Sequence, residues 1–255
     1  MTVVGLVPAG GRATRLGPLP CSKEIYPVGW DTAAGGPRPK VAGHYLLERL
    51  RIGGAAHAYV VVGNGKWDIP AYFADGALVD LPLSYLVVTD SPSTPHTIDV
   101  AYPFLGNALV AFGFPDVLFE PSDAFGQLLR RQRETSAAVV VGVFPSDQPE
   151  QADAVQIDAD SKVRRVVIKQ PGTTLRDVWL IAVWSPEFTE FLHRFLAGGP
   201  DPSGDELYVG HVLQAAIDAG IPVESVRFPG GRYVDIGTPE SLRLLAAGED
   251  RGAPS

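Results

Sequence analysis

Short, β-branched apolar runs alternate along the chain with longer stretches whose apolar residues recur at helical spacing. Val3 to Val7 is the first such run; closed by Pro8-Ala9-Gly10-Gly11, it reads as a buried strand ending in a tight loop. A helix over Val41 to Ile52, carrying Tyr45, Leu46, Arg49 and Leu50, is followed by a strand at Ala58 to Val62. The rhythm continues with a helix near Trp67 to Phe73, a strand at Leu83 to Val88, a helix around Thr97 to Phe104 and a strand at Ala108 to Phe112. Strand, loop, helix and strand in this order predict a doubly wound, mainly parallel sheet of the Rossmann-like α/β class.

The second half reads differently. A helix over Pro121 to Arg133 precedes four closely spaced extended segments, Ala137 to Phe144, Ala154 to Ile157, Val163 to Ile168 and Val178 to Val183. They predict an added β region that makes the sheet mixed. Helices at Pro186 to Leu196 and Glu206 to Ala219, a strand at Val223 to Phe228 and a last helix opening at Thr238-Pro239-Glu240 complete one expected domain over residues 1–247. Residues 248–255, polar and rich in Gly and Pro, are expected to form a flexible tail. The Gly/Pro-rich stretch Trp30 to Pro39 is too short for a domain linker and reads as a surface loop.

Composition narrows the class. With 255 residues, 45% of them hydrophobic and 20% charged, the chain is long enough for one substantial core. A formal net charge of -8 argues against affinity won by neutralising nucleic-acid phosphates, so a small ligand is expected. The single cysteine, Cys21, can form neither an internal disulfide nor a thiolate metal site, which fits a reducing cytoplasm. The apolar start is too short for a signal peptide, and no run of about 18 apolar residues predicts a membrane span.

Chemistry concentrates in Gly10-Gly11-Arg12-Ala13-Thr14-Arg15-Leu16, where the glycines let backbone N–H groups approach an anion. No Gly-Lys-Ser/Thr closes a P-loop, and no third glycine makes the dinucleotide fingerprint. Gly-Gly turns also occur for purely structural reasons, but here Arg15 follows at once and Lys23 eight residues later, before Glu24-Ile25-Tyr26-Pro27-Val28. Phe112-Gly113-Phe114-Pro115-Asp116 places a carboxylate just past an apolar strand, and Tyr233-Val234-Asp235-Ile236-Gly237-Thr238-Pro239-Glu240 places another between a strand and a helix.

These segments resemble the signatures of the sugar-1-phosphate nucleotidyltransferases, in the same order from Val3 to about Ala246. Ser22-Lys23 is similar to the thymidylyltransferase form and Lys23-Glu24 to the bacterial uridylyltransferase form. The resemblance implies transfer of a nucleoside monophosphate from an NTP, weakly dTTP or UTP, to a phosphorylated sugar-like acceptor, with release of pyrophosphate. It implies Arg15 and Lys23 as the charge-stabilising residues and Asp116 and Asp235 as ligands of Mg²⁺, a hard cation that takes carboxylate and phosphate oxygens and keeps several waters. Ala9, Gly10, Gly11, Ala13, Thr14, Glu24 and Thr94 are the implied nucleotide-binding residues. Lys169, Ala154, Trp179 and Trp184 are the implied acceptor-binding residues. A homo-oligomer is compatible with the resemblance, because members of the family often assemble.

The departures are specific. The second loop glycine is Ala13, the loop is preceded by Pro8, and the base-reading stretch Val88 to Thr97 lacks the family's Gln and Gly. The family's Glu-Lys-Pro is Lys169-Gln170-Pro171, and its acceptor-side glycine is Ala154. Two alternatives follow: a non-catalytic nucleotide or sugar-nucleotide binder, and a transferase whose acceptor is a cyclitol phosphate or a phosphonate.

Overall fold

The computed structural model describes residues 1–11, 16–31, 36–199 and 206–246. In chain order the first half comprises β1 (Val3–Ala9), β2 (Pro27–Asp31), β3 (Arg38–Val41), α1 (Ala42–Ile52), β4 (His57–Gly63), α2 (Asp68–Phe73), β5 (Leu83–Val88), α3 (Thr94–Asp99), α4 (Tyr102–Leu105), β6 (Leu109–Gly113), β7 (Val117–Glu120) and α5 (Ala124–Thr135). The second comprises β8 (Val139–Pro145), β9 (Asp153–Ile157), β10 (Val163–Ile168), β11 (Asp177–Trp184), α6 (Pro186–Ala197), α7 (Val209–Asp218), β12 (Val223–Arg227), β13 (Arg232–Asp235) and α8 (Pro239–Ala246).

Nine strands form the main sheet, which is α/β and mixed as the patterning predicts. β1 lies at its centre, parallel to β4 on one side and β6 on the other, and β5 continues the parallel half beyond β4. The added region is antiparallel: β11 pairs with β6, β8 and β9, and β9 with β10. β12 then joins β8 in parallel. Parallel strands buried on both faces need apolar residues on both, and β6 is buried at every position. Leu46, Leu50, Phe125 and Leu128 of α1 and α5 cover one face, and Ile98, Phe188, Leu192 and Leu213 of α3, α6 and α7 cover the other.

A small ladder outside the main sheet matters most for the site. β13 runs antiparallel to β7, pairing Asp235 with Val117 and Tyr233 with Phe119. Its support is Arg49, which is 2% exposed on the inner face of α1. The guanidinium donates from Nε to the Phe119 carbonyl at 2.7 Å, from Nη1 to the Tyr45 carbonyl at 3.1 Å and from Nη2 to Glu120 Oε1 at 3.1 Å. A planar fork of donors meets three acceptors that a lysine could not serve in this way, so α1 is pinned to β7 by one side chain.

Three sequence expectations are corrected. The helix around Thr97 to Phe104 is two short helices, α3 and α4, because Pro103 has no N–H for the Asp99 carbonyl and its ring would crowd it. The stretch Trp30 to Pro39 is not simply a loop: its ends pair as β2 and β3, Trp30 opposite Pro39 and Asp31 opposite Arg38. Proline is tolerated in this small peripheral hairpin, which is not part of the main sheet. The helix over Glu206 to Ala219 starts at Val209, where the Tyr208 N–H donates to His211 Nδ1 at 2.9 Å. His44 caps α1 in the same way, accepting from the Val41 N–H at 3.1 Å. Among the described residues no helix is long and apolar enough to cross a membrane.

Candidate functional site

β1 ends at the centre of the parallel half, and the loop leaving it opens a cleft of about 740 Å³ at the C-terminal edge of the strands, the edge where open α/β sheets bind ligands. Gly10 and Gly11 form one wall, with Ser22 and Lys23 beyond them, and Thr94 belongs to the facing segment Val88–Thr97. Close approach explains one glycine. A Cβ on Gly63, at the end of β4, would sit 2.8 Å from the Gly10 carbonyl oxygen, so only glycine lets the two strand ends lie together. The facing segment is held by its own hydroxyls: Thr97 Oγ1 donates to Ser91 Oγ at 2.8 Å, Ser91 Oγ to the Ser93 carbonyl at 2.8 Å, and Ser93 Oγ lies 2.7 Å from His96 Nδ1.

Lys23, Asp116 and Asp235 converge beside this loop. Lys23 opens a short 3-10 turn, Lys23–Ile25, and its ammonium is paired with the Asp116 carboxylate. Asp116 lies in the turn between β6 and β7, and its carbonyl accepts the Ile236 N–H at 2.9 Å, which seats Asp235 next to it on the β7/β13 ladder. Burial pushes the Asp116 carboxyl upward, but the Lys23 charge and its hydrogen bond outweigh this and hold the group below the ordinary carboxylate range. Burial would depress the Lys23 ammonium, yet Asp116, Glu24 and Asp235 together hold it above its ordinary value. Lys23 and Asp116 are therefore both charged at neutral pH. Asp235 Oδ1 also accepts the Gly237 N–H at 2.7 Å, which fixes the turn into α8.

Ala9 is 1% exposed and Glu24 2% exposed, so both lie behind the loop rather than on the cleft wall. Arg15, with Ala13 and Thr14, lies outside the described residues. Sequence reasoning missed Lys66. Its ammonium donates to Glu24 Oε1 at 2.7 Å, to the Ala9 carbonyl at 2.9 Å and to the Gly11 carbonyl at 3.1 Å. Asp68, two residues on, accepts the Ser22 N–H and the Ser22 hydroxyl, each at 2.7 Å. The usable signal was position, because Gly63-Asn64-Gly65-Lys66 leaves the neighbouring parallel strand at the same edge.

The acceptor-side residues are spread more widely. Ala154 is fully buried in β9, paired with Val178 of β11 and Val167 of β10. Lys169 follows β10, with its ammonium 3.7 Å from the centre of the Tyr208 ring, a cation–π contact. Trp179 and Trp184 lie five residues apart, an odd spacing that would put them on opposite faces of a regular strand. A bulge between Trp179 and Ile181 resets the alternation, and both indoles enter the same core. Trp184 is 2% exposed, donates from Nε1 to Thr189 Oγ1 at 3.0 Å and packs on Phe112 and Phe188. Trp184 and Trp179, at 2% and 3% exposure, are both core residues that present almost no surface to a ligand in this state.

Asp116 and Asp235 are hard oxygen donors brought side by side, and one is held ionised. That set suits a cation that takes one or two carboxylates and fills the rest of its shell with water and phosphate oxygens. Among the described residues no group of three or more His, Cys, Asp or Glu side chains is arranged to hold a metal, so a closed cage of the zinc type is not formed.

No protein-family model matches the sequence. The chain is 25% identical over 228 residues to the glucose-1-phosphate thymidylyltransferase of Streptomyces antibioticus, covering 88% of this chain and 60% of that one. It is 25% identical over 229 residues to the enzyme of the same name from Streptomyces griseus, with the same coverage. The chain thus spans about three-fifths of the length of these curated relatives. Among solved structures, a Bacillus anthracis protein described as a candidate glucose-1-phosphate thymidylyltransferase, in complex with sucrose, superposes with a TM-score of 0.81 at 16% identity, over 100% of this chain and 98% of that one. A UDP-glucose pyrophosphorylase complexed with UDP-glucose superposes with a TM-score of 0.78 at 17% identity, over 97% and 98%. The fold is therefore that of the α/β nucleotidyltransferases. In sequence the chain is similar to glucose-1-phosphate thymidylyltransferases, and in fold to sugar-1-phosphate nucleotidyltransferases.

Proposed function

We propose that the protein transfers a nucleoside monophosphate from an NTP to a sugar 1-phosphate or a similar phosphorylated acceptor. A phosphate oxygen of the acceptor forms a bond to the α-phosphorus, the bond from that phosphorus to the bridging oxygen breaks, and pyrophosphate leaves with the electron pair. An acceptor phosphate is already an oxyanion, so no general base is needed. The work is positioning and charge stabilisation.

The observation that carries this reading is the convergence of Lys23, Asp116 and Asp235 on the glycine loop at the carboxyl edge of the sheet. Gly10 and Gly11 would receive the phosphates through backbone N–H groups, and Lys23 and Arg15 would offset the negative charge that develops around the α-phosphorus. Asp116 and Asp235 would hold Mg²⁺, which supplies neutralisation of the triphosphate when bound. Lys169 is the proposed anchor of the acceptor phosphate. Similarity to a thymidylyltransferase and to a UDP-glucose pyrophosphorylase favours dTTP or UTP as the donor.

The test is a screen of the four common NTPs and dTTP against hexose 1-phosphates, a cyclitol phosphate and a phosphonate, read as pyrophosphate release with and without Mg²⁺. Release that requires both substrates and the metal is expected. Tight nucleotide binding without turnover across the panel would instead assign the non-catalytic reading.

A further inference from the structure

The lysine that sequence reasoning missed lines the cleft and also holds the backbone of the phosphate loop. An ammonium has three N–H donors, and Lys66 spends them on the Ala9 carbonyl, the Gly11 carbonyl and Glu24 Oε1. It is therefore not a spare cation. Besides its charge at the cleft, it acts on an anion through the backbone that it holds. In a trans peptide the carbonyl of one residue and the N–H of the next point in opposite directions. Drawing the Ala9 carbonyl toward Lys66 turns the Gly10 N–H to the opposite side, so the lysine sets which way that backbone donor faces.

A second contact grips the other end of the loop. Asp68 receives both the N–H and the hydroxyl of Ser22, the residue before Lys23. Lys66 and Asp68 stand two residues apart at the start of α2, so one short connection holds the chain at residues 9–11 and again at residue 22. The underlying ion pair is a poor device for stability alone. Glu24 is 2% exposed, its Oε2 is buried without a hydrogen-bond partner, and its carboxyl is pushed up by burial against the pull of Lys66 and Lys23. Buried pairs of this kind often break even against apolar side chains of the same volume.

We propose that the connection from β4 to α2 is a clasp that sets residues 9–11, where the phosphate loop leaves β1, for anion binding, with Lys66 as a positioning residue and Asp68 as its second point of hold at Ser22. This inference rests on the nucleotide reading given above. It concerns how the loop is held rather than which nucleotide it takes.

The probe is inorganic pyrophosphate, titrated with Mg²⁺ into the full chain by calorimetry, alongside thermal melting of each variant without ligand. K66M/E24Q removes the ion pair from both sides and leaves no orphaned charge, so it separates folding from positioning. It is expected to melt close to the wild type and to bind pyrophosphate about ten- to a hundredfold more weakly, the scale of a small misplacement at a preorganised site. K66R, which keeps a cation with several donors, is expected to recover part of the loss, and D68N to weaken binding less than the double variant does. A folded K66M/E24Q with wild-type pyrophosphate affinity would reduce Lys66 to a structural role and overturn the clasp. If no Lys66 variant folds, unchanged affinity in D68N overturns it equally. Absence of pyrophosphate binding by the wild type would remove the nucleotide reading as well, whereas wild-type binding with indifferent variants removes only the clasp.

Discussion

Asp116, in the turn after β6 on the cleft side, and Asp153, at the start of β9 on the antiparallel side, are both largely withdrawn from water. Lys23 holds the first below the ordinary carboxylate range, while burial pushes the second above it. Asp116 has a dedicated cation and a second carboxylate beside it across the β7/β13 ladder. Lys169, His211, the Trp179 side chain and the Gly210 N–H all favour the charged form of Asp153, but burial outweighs them; Oδ1 has no hydrogen-bond partner, and the carboxylate lies so close to α7 that a Cβ at Gly210 would overlap it. A paired carboxylate stays ionised and able to meet a cation. A buried one without a cation in direct contact is pushed toward its neutral form, at a cost that depends on its protonation. The same residue type is thus held charged on one side of the sheet and pushed toward neutrality on the other, and the partner decides which.

The largest effects should come from breaking the cleft cluster. Lys23→Ala and Asp116→Asn are each expected to lower the rate of pyrophosphate release by about 10²–10³-fold, the usual consequence of deleting one preorganised electrostatic contact. Steady-state kinetics with the best pair from the substrate screen measures it. Trp184→Ala should produce a loss of another kind, destabilisation by about 3–5 kcal/mol, because it empties a fully buried site. Denaturant unfolding reads the loss, and the acceptor KM should stay near the wild-type value. A rise in KM without loss of stability would return Trp184 to the acceptor pocket.

The two aspartates should also show opposite pH behaviour. Because the folded state lowers the Asp116 pKa, its contribution to stability is present above its ordinary value of 3.8 and is lost as pH falls through the lower folded value. The raised Asp153 pKa works the other way: stability is full below 3.8 and declines as pH rises through the folded value. Melting of Asp153→Asn against the wild type should show an advantage for the variant that grows with rising pH, whereas Asp116→Asn should show a deficit that shrinks as pH falls. The smallest effect is expected at Cys21. Its thiol lines the cleft but is pushed up by burial and by the charges of Asp68 and Glu24, so it is a poor thiolate at neutral pH. Cys21→Ser should leave turnover within about twofold of the wild type, as a substitution with no lost charge or packing volume does.

Much of this architecture is legible along the chain because the physics behind it is local. The strands at Leu83–Val88 and Val163–Ile168 are where apolar β-branched runs put them, and Asp116 and Asp235 stand at strand ends as their flanking turns require. Other features depend on tertiary contacts that periodicity does not carry. The shared face of Trp179 and Trp184 follows from a bulge, and a bulge is a property of the pairing with β8. Lys66 looks like a surface lysine in a Gly-Asn-Gly turn until the fold brings that turn under the phosphate loop. The β2/β3 hairpin is hidden by its prolines, and the break between α3 and α4 was present in the sequence as Pro103 but outweighed by the apolar pattern around it.

The central claim is that the cleft joins a nucleotide to a phosphorylated acceptor, and the most direct measurement is pyrophosphate release from wild type and Lys23→Ala with each NTP, acceptor and Mg²⁺ omitted in turn. The expected result is release by the wild type only when all three are present, and its near-complete loss in the variant. Release that continues without an acceptor, or equal release by Lys23→Ala, would contradict the account.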